Sequence, residues 1–180
     1  MNDKKYIILD RDGVINYDSL AYIKTVEEFK PIPGSMEAIA QLTAAGYSIG
    51  LATNQSGVSR GLYTEETLQA IHKKMLNLVH SYGGNIEAIE YCLHLPVANC
   101  NCRKPKPGML LNLAKRLNCS LNSIAFVGDR VSDIQAAIAV AATPILIRSI
   151  MTDLCELENY PQVQIYNSLH EYVQQMLNTP

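Results

Sequence analysis

Two carboxylates, Asp10 and Asp12, close a short apolar run, Tyr6-Ile7-Ile8-Leu9, and are followed at once by Gly13. An Asp-x-Asp-Gly run is most simply a turn with solvated carboxylates. The same pair can also do chemistry. A carboxylate can attack phosphorus to form an aspartyl-phosphate. A second carboxylate two residues on can protonate the departing alcohol and then activate water. Close carboxylates repel each other, so a cation is expected, and all-oxygen ligands suit Mg²⁺.

Three other segments carry residues of matching chemistry. Thr53, Asn54 and Gln55 follow a second apolar run, where a hydroxyl and backbone N–H groups either hold phosphate oxygens or cap a turn. In Arg103-Lys104-Pro105-Lys106-Pro107-Gly108, Lys104 is either a counter-charge for a phosphoryl group or one more exposed base. The prolines stiffen that loop and lower the entropy lost in holding Lys104. Lys106 reads as exposed. Gly128-Asp129-Arg130-Val131-Ser132-Asp133 ends a further run. Asp129 is placed to complete a Mg²⁺ site with Asp10, and Asp133 reads at least as a helix cap.

A different chemistry lies between. Cys92-x-His94 and, five residues later, Cys100-x-Cys102 supply four good zinc ligands. A closed Cys₃His set fits structural Zn²⁺, with no open position for catalysis. Reduced core thiols are the alternative, but the loop is polar and contains proline. A Cys100–Cys102 disulfide would be strained. Cys102 directly precedes Arg103 and Lys104, so fixing it on a metal fixes the start of a phosphate-binding loop. Cys119 and Cys155 lie outside the cluster and read as buried thiols.

The elements that must carry these residues alternate strand and helix. The apolar run before Asp10 is a strand. Ser35 caps a helix to Ala45 with Ile39 and Leu42 inward and Gly46 as its stop. Tyr47 to Ala52 is a strand. A helix begins at Thr64, with Leu68, Ile71, Met75, Leu78, Val79 and Tyr82 on a 3.6-residue rhythm, and ends at Gly83-Gly84. Ile86 to Cys92 is a strand, and Gly108 to Leu117 a helix with Met109, Leu110, Leu113 and Leu117 inward. Ser123 to Val127 is a strand, followed by an alanine-rich helix capped at Ser132 or Asp133 and reaching about Ala142. Thr143 to Ile147 is a strand, Val163 to Ile165 an edge strand, and a last helix starts at Ser168. The fold class is α/β: a Rossmann-like, doubly wound parallel sheet covered on both faces. In such sheets ligands bind beyond the carboxyl ends of the strands, where the motifs fall.

Composition agrees and excludes other classes. A chain of 180 residues is sized for a single domain, residues 1–180, with 48% hydrophobic and 18% charged residues. That balance excludes disorder as the main state. Lys plus Arg is 15 against 17 Asp plus Glu, so neither a nucleic acid nor a membrane surface is an expected partner. No apolar run approaches the roughly 18 residues of a membrane span. Met1 to Tyr6 is charged and the apolar stretch after it is too short for a signal-peptide core, so a reducing cytoplasm is expected.

Taken in order, the four motifs resemble the haloacid dehalogenase superfamily of phosphotransferases, over about residues 5 to 150. They are Asp10-Arg11-Asp12-Gly13-Val14-Ile15-Asn16, Ala52-Thr53-Asn54-Gln55-Ser56-Gly57, Arg103-Lys104-Pro105, and Val127-Gly128-Asp129 with Asp133. The resemblance implies Asp10 as nucleophile and Asp12 as acid and base. It implies Mg²⁺ on Asp10, Asp129 and the Asp12 carbonyl, with Asp133 supporting. Thr53 and Lys104 would stabilise the phosphoryl oxygens. Asp18, Asn54, Gln55, Arg103 and Arg130 would meet substrate, with the loop Asp18 to Tyr22 at the entrance. No stretch is long enough for a separate cap domain.

The zinc loop before the third motif resembles a branch that includes phosphatases of heptose bisphosphates and of histidinol phosphate. Pro107-Gly108-Met109 is closest to the former, while Leu93 stands where that branch usually has proline. The expected partner is thus a small sugar bisphosphate, met by a monomer. Histidinol phosphate is the alternative substrate. A phosphorylatable receiver domain and a zinc-based interaction module are the readings from other classes.

Overall fold

A computed structural model describes residues 4–178, so residues 1–3 of the charged N-terminal stretch, and residues 179–180, lie outside the described residues. The strands are β1 (Lys5–Leu9), β2 (Tyr47–Asn54), β3 (Ala88–Cys92), β4 (Ala125–Gly128), β5 (Thr143–Ile147) and β6 (Gln164–Tyr166). The helices are α1 (Ser35–Ala44), α2 (Glu65–Ser81), α3 (Gly108–Leu117), α4 (Val131–Ile138), the short α5 (Leu154–Leu157) and α6 (Leu169–Asn178).

All strand pairs are parallel, in the order β3-β2-β1-β4-β5-β6. The chain winds outward in one direction from β1 and in the other from β4. The crevice where the winding reverses therefore lies between β1 and β4. Leu9 pairs with Val127, and the Asp10 N–H donates to the Val127 carbonyl at 2.8 Å. This register sets Asp10 and Asp129 side by side at the crevice.

Alternation of side chains along the strands builds two cores. Ile7 and Leu9 pack with Ile39, Leu42, Ile71, Met75 and Val173, from α1, α2 and α6. Ile8 points the other way, into Leu110, Leu113, Phe126 and Ala136 of the α3 and α4 side. The middle strands are buried on both faces, which is why they read as continuous apolar runs. The connections from β1 to α1 and from β2 to α2 carry no helix or sheet strand of their own, so only loops cover the strand ends. Among the described residues no helix is long and apolar enough to cross a membrane.

Several local expectations need correcting. Ser35 is not a cap. Gly34 holds that position with φ 83°, and the Ser35 hydroxyl donates to the Ile15 carbonyl at 2.8 Å. Tyr82 is 50% exposed, because α2 ends before it. α4 stops at Ile138, four residues short of Ala142, and its N-cap is Arg130 instead of Ser132 or Asp133. Asp133 sits at the third helical position and reaches back to the Asp129 and Arg130 N–H groups at 3.1 and 2.9 Å. Cys119 is only partly buried and Cys155, on α5, is exposed.

Candidate active site

Asp10, at the end of β1, is buried against Lys104. Lys104 Nζ lies 2.7 Å from Asp10 Oδ2 and 2.7 Å from Asp133 Oδ1, and donates to the Ala52 carbonyl at 2.9 Å. Asn54 grips the Lys104 backbone on both sides: its Oδ1 accepts from the Lys104 N–H and its Nδ2 donates to the Lys104 carbonyl, each at 3.1 Å. The end of β2 thus seats the basic loop over the end of β1.

Carboxylate oxygens of Asp10, Asp129 and Asp133 all lie within 4.8 Å of one another. Ser149 Oγ donates to Asp129 Oδ2 at 2.6 Å, and Thr152 Oγ1 to the Asp129 carbonyl at 2.7 Å. Asp129 Oδ1 is buried with no hydrogen-bond donor, its nearest cationic group being Arg130 Nε at 3.9 Å. Gly13, with φ 78°, backs directly on this carboxylate, and a Cβ there would strike it. Three buried carboxylates against one lysine, with one oxygen left open, fit a hard divalent cation.

The electrostatics agree. Burial pushes the Asp10 carboxyl up to about 7, against the pull of Lys104 and with a further push from Asp133. Burial, then Asp133 and Asp10, hold Asp129 well above the ordinary carboxylate range. Like charges packed this closely oppose ionisation until a cation arrives.

Asp12 faces different neighbours. Arg11 is wholly buried and forks onto it, with Nε at 3.1 Å and Nη2 at 2.9 Å from Oδ1. Asn16 Nδ2 donates to Oδ1 at 2.8 Å, and Gln55 Nε2 to Oδ2 at 2.8 Å. Burial works upward on this carboxyl, but Arg11 and these hydrogen bonds outweigh it and hold it below its usual value.

The four expected zinc ligands converge. Cys102 Sγ lies 3.1 Å from Cys92 Sγ, 3.4 Å from Cys100 Sγ and 3.2 Å from His94 Nδ1. Cys92 Sγ lies 3.6 Å from Cys100 Sγ and 3.5 Å from His94 Nδ1, and all the thiols are free. These separations are close to the edges of a tetrahedron with bonds of about 2.0 to 2.3 Å, so the set fits Zn²⁺.

A profile of haloacid dehalogenase-like hydrolases matches residues 4–141. The chain belongs to the haloacid dehalogenase-like hydrolases. A D-glycero-beta-D-manno-heptose-1,7-bisphosphate 7-phosphatase of Pseudomonas putida is 54% identical over 145 residues, 81% of this chain and 83% of that protein. The enzyme of the same name from Pseudomonas aeruginosa is 49% identical over 146 residues, 81% of this chain and 82% of that protein. Among solved structures, the D,D-heptose 1,7-bisphosphate phosphatase of Bordetella bronchiseptica, complexed with magnesium and phosphate, superposes with a TM-score of 0.90 at 39% identity. That alignment covers 98% of this chain and 99% of the other.

In this hydrolase a cavity of 390 Å³ opens over the acidic cluster. Asp10, Asp12, Thr53, Arg103, Lys104 and Arg130 are on its wall, together with Asp18, Asn54, Gln55 and Asp133. Every sequence-predicted site residue is thus at the cavity or in one of the two clusters able to hold a metal ion. Their surroundings differ from expectation in two places. Gln55 is buried and directs its amide to Asp12 and Thr53, so it orients the site besides lining it. Arg130, expected to meet substrate, is instead paired within the protein: its Nη2 meets Asp18 Oδ2 at 2.6 Å, because the loop after β1 folds over the start of α4. Arg103 reaches the His94 carbonyl at 3.3 Å, tying the cavity to the loop of the Cys/His cluster.

Sequence reading missed Arg11, Tyr63, His72, Ser149 and Thr152. Ser149 and Thr152 carry no local signal, since they follow β5 in a loop without a motif. His72 did have one: it lies four residues after Leu68 and three before Met75, on the inner face of α2.

Proposed function

We propose that this chain hydrolyses the 7-phosphate of D-glycero-D-manno-heptose 1,7-bisphosphate, as a cytoplasmic monomer on the route to nucleotide-activated heptose for lipopolysaccharide. The observation that carries the phosphatase reading is the buried Asp10–Lys104–Asp133 arrangement at the mouth of the crevice, with Asp129 beside it. The names of the relatives carry the substrate.

Asp10 attacks the phosphorus, the bond to the sugar oxygen breaks, and the phosphoryl group passes to the carboxylate. Asp12 delivers a proton to the departing alkoxide. The Arg11 fork favours its ionised form, whereas a bound phosphoryl dianion alongside raises its proton affinity. Once the sugar alcohol leaves, Asp12 takes a proton from the water that attacks the aspartyl-phosphate. Thr53 Oγ and Lys104 Nζ hold the equatorial oxygens as their charge redistributes. Mg²⁺, held by Asp10, Asp129 and the Asp12 carbonyl with Asp133 in support, would neutralise the phosphoryl charge and the acidic cluster. Zn²⁺ on Cys92, His94, Cys100 and Cys102 would act by fixing the loop that carries Arg103 and Lys104.

Arg103 is the cation on the wall with no carboxylate partner among the described ion pairs, and it suits the distal phosphate through a bidentate contact. Histidinol phosphate fits less well. Its far end is an amine, and the carboxylate that would receive it, Asp18, is already joined to Arg130. The deciding measurement is kcat/KM for heptose 1,7-bisphosphate, fructose 1,6-bisphosphate and histidinol phosphate at one Mg²⁺ concentration. The heptose bisphosphate is expected to lead. Arg103→Ala should cost about tenfold or more with it and less with a monophosphate of the same sugar. Preference for histidinol phosphate would defeat the substrate reading.

The acidic cluster also predicts a pH signature. With Asp10 raised to about 7, the folded chain without Mg²⁺ binds more protons than the unfolded chain between about pH 4 and 7. Its stability therefore falls as pH rises through that window. A bound divalent cation offsets the repulsion that causes the fall. The gain in melting temperature on adding Mg²⁺ should accordingly grow from pH 5 to pH 8. A gain that is flat or shrinking over this range contradicts the metal site.

A further inference from the structure

The donors around Asp12 lead back to a residue that is off the cavity wall. Arg11 is 0% exposed, and each nitrogen of its guanidinium has a protein partner. Nε and Nη2 hold Asp12, Nη2 also reaches Gln55 Oε1 at 3.2 Å, and Nη1 lies 3.2 Å from His72 Nε2. Arg11 only donates, so His72 must accept through the Nε2 lone pair, and its ring is neutral with the proton on Nδ1. Burial and the neighbouring guanidinium both favour that neutral form and bring the imidazole down to about 3.

His72 does not touch the reacting groups. It projects from the middle of α2, is 6% exposed, and is absent from the cavity wall. The Tyr91 ring packs beside it with centroids 5.7 Å apart. Its ring is thus wedged between α2 and the end of β3, in a fixed direction. Without it, one buried N–H of Arg11 would lose its acceptor. The guanidinium would turn toward another, and the fork on Asp12 would turn with it.

We propose that His72 is a positioning residue for proton transfer: its Nε2 fixes the Arg11 guanidinium, which fixes the direction in which Asp12 presents its carboxylate. The proposal rests on the phosphatase reading above, in which Asp12 handles the proton. It accounts for a buried polar side chain on the apolar face of α2, where a leucine would pack without needing a partner. Tyr63, whose hydroxyl donates to Gln55 Oε1 at 2.7 Å, closes the other side of the same frame.

The test compares His72→Gln with His72→Asn. A glutamine carbonyl can reach the position of Nε2, whereas an asparagine carbonyl is one methylene short. Steady-state kinetics are measured with heptose 1,7-bisphosphate and, separately, with p-nitrophenyl phosphate. Melting curves and Mg²⁺ titrations accompany both. His72→Asn should lower kcat about ten- to a hundredfold, the scale of loss when a catalytic group is misdirected by about an ångström. KM and the Mg²⁺ dependence should stay near wild type, and His72→Gln should recover most of kcat. In an Arg11→Lys background, which removes the fork, His72→Asn should add little further loss.

Equal kcat in the two His72 variants overturns the proposal. So does a loss in His72→Asn that appears in KM or Mg²⁺ affinity, or one that adds in full to Arg11→Lys. If the wild type ignores the bisphosphate but turns over p-nitrophenyl phosphate, the substrate reading fails and the aryl series still decides the role of His72. If the wild type hydrolyses neither, both readings fall.

Discussion

Asp10→Asn is expected to abolish turnover while the fold stands. An amide cannot carry the phosphoryl group, and loss of a covalent nucleophile elsewhere costs on the order of 10⁴-fold or more in kcat. The structure says why the variant should still fold. Asp10 is buried beside Asp129 and Asp133, and burial, with the Asp133 charge and against the pull of Lys104, pushes its carboxyl up to about 7. Removing that charge relieves repulsion. Lys104 keeps its ion pair with Asp133 at 2.7 Å and its bond to the Ala52 carbonyl at 2.9 Å, so it is not left buried and alone. The Mg²⁺-free melting temperature at pH 8 should therefore equal or exceed that of the wild type, while phosphate release vanishes. Substantial steady-state activity in purified Asp10→Asn would remove the nucleophile assignment.

What could be read from sequence follows the physics of each element. The middle strands are buried on both faces, so Ile7-Ile8-Leu9 and Ile145-Leu146-Ile147 stand out as short continuous apolar runs. Helix α3 was legible to the residue, since Gly108 opens it and its four inward positions keep a strict rhythm. The motif residues were legible because a parallel sheet puts its ligand groups just after its strands. Caps were less so. Gly34, not Ser35, begins α1, because the Ser35 hydroxyl is claimed by Ile15, a partner 20 residues away. The same holds at the site. The Asp18 partner of Arg130 lies 112 positions distant, beyond any local pattern. Arg11 carries no assigned role in the motif, and only the fold brings His72 to it across 61 positions. Local propensity does not encode such partners, so a residue type is readable while its hydrogen-bond economy is not.

The zinc loop yields the second large effect. Cys100→Ala or Cys102→Ala should lose the metal, and activity should then fall about a hundredfold while Mg²⁺ affinity changes much less. The asymmetry follows from where the groups are anchored. Asp10 and Asp129 stand at the ends of β1 and β4, which pair directly with each other and do not involve residues 93–107. Arg103 and Lys104 follow Cys102 with no intervening residue. Lys104 must sit 2.7 Å from Asp10, and a displacement near an ångström in a group that meets transition-state charge costs about 10²-fold. Asn54 clamps the Lys104 backbone from β2, which limits the loss but cannot hold the Arg103 side, where the contact is to the His94 carbonyl of the zinc loop itself. Arg103 should accordingly suffer more, and KM for the bisphosphate should rise together with the fall in kcat. Cys119→Ala, outside the cluster, is the control and should leave both unchanged. Protein purified without added metal should carry about one zinc per chain by elemental analysis. A metal-free preparation with full activity, or a Cys102→Ala enzyme as active as the wild type, would remove the zinc from the account and leave the loop to be held by Asn54 alone.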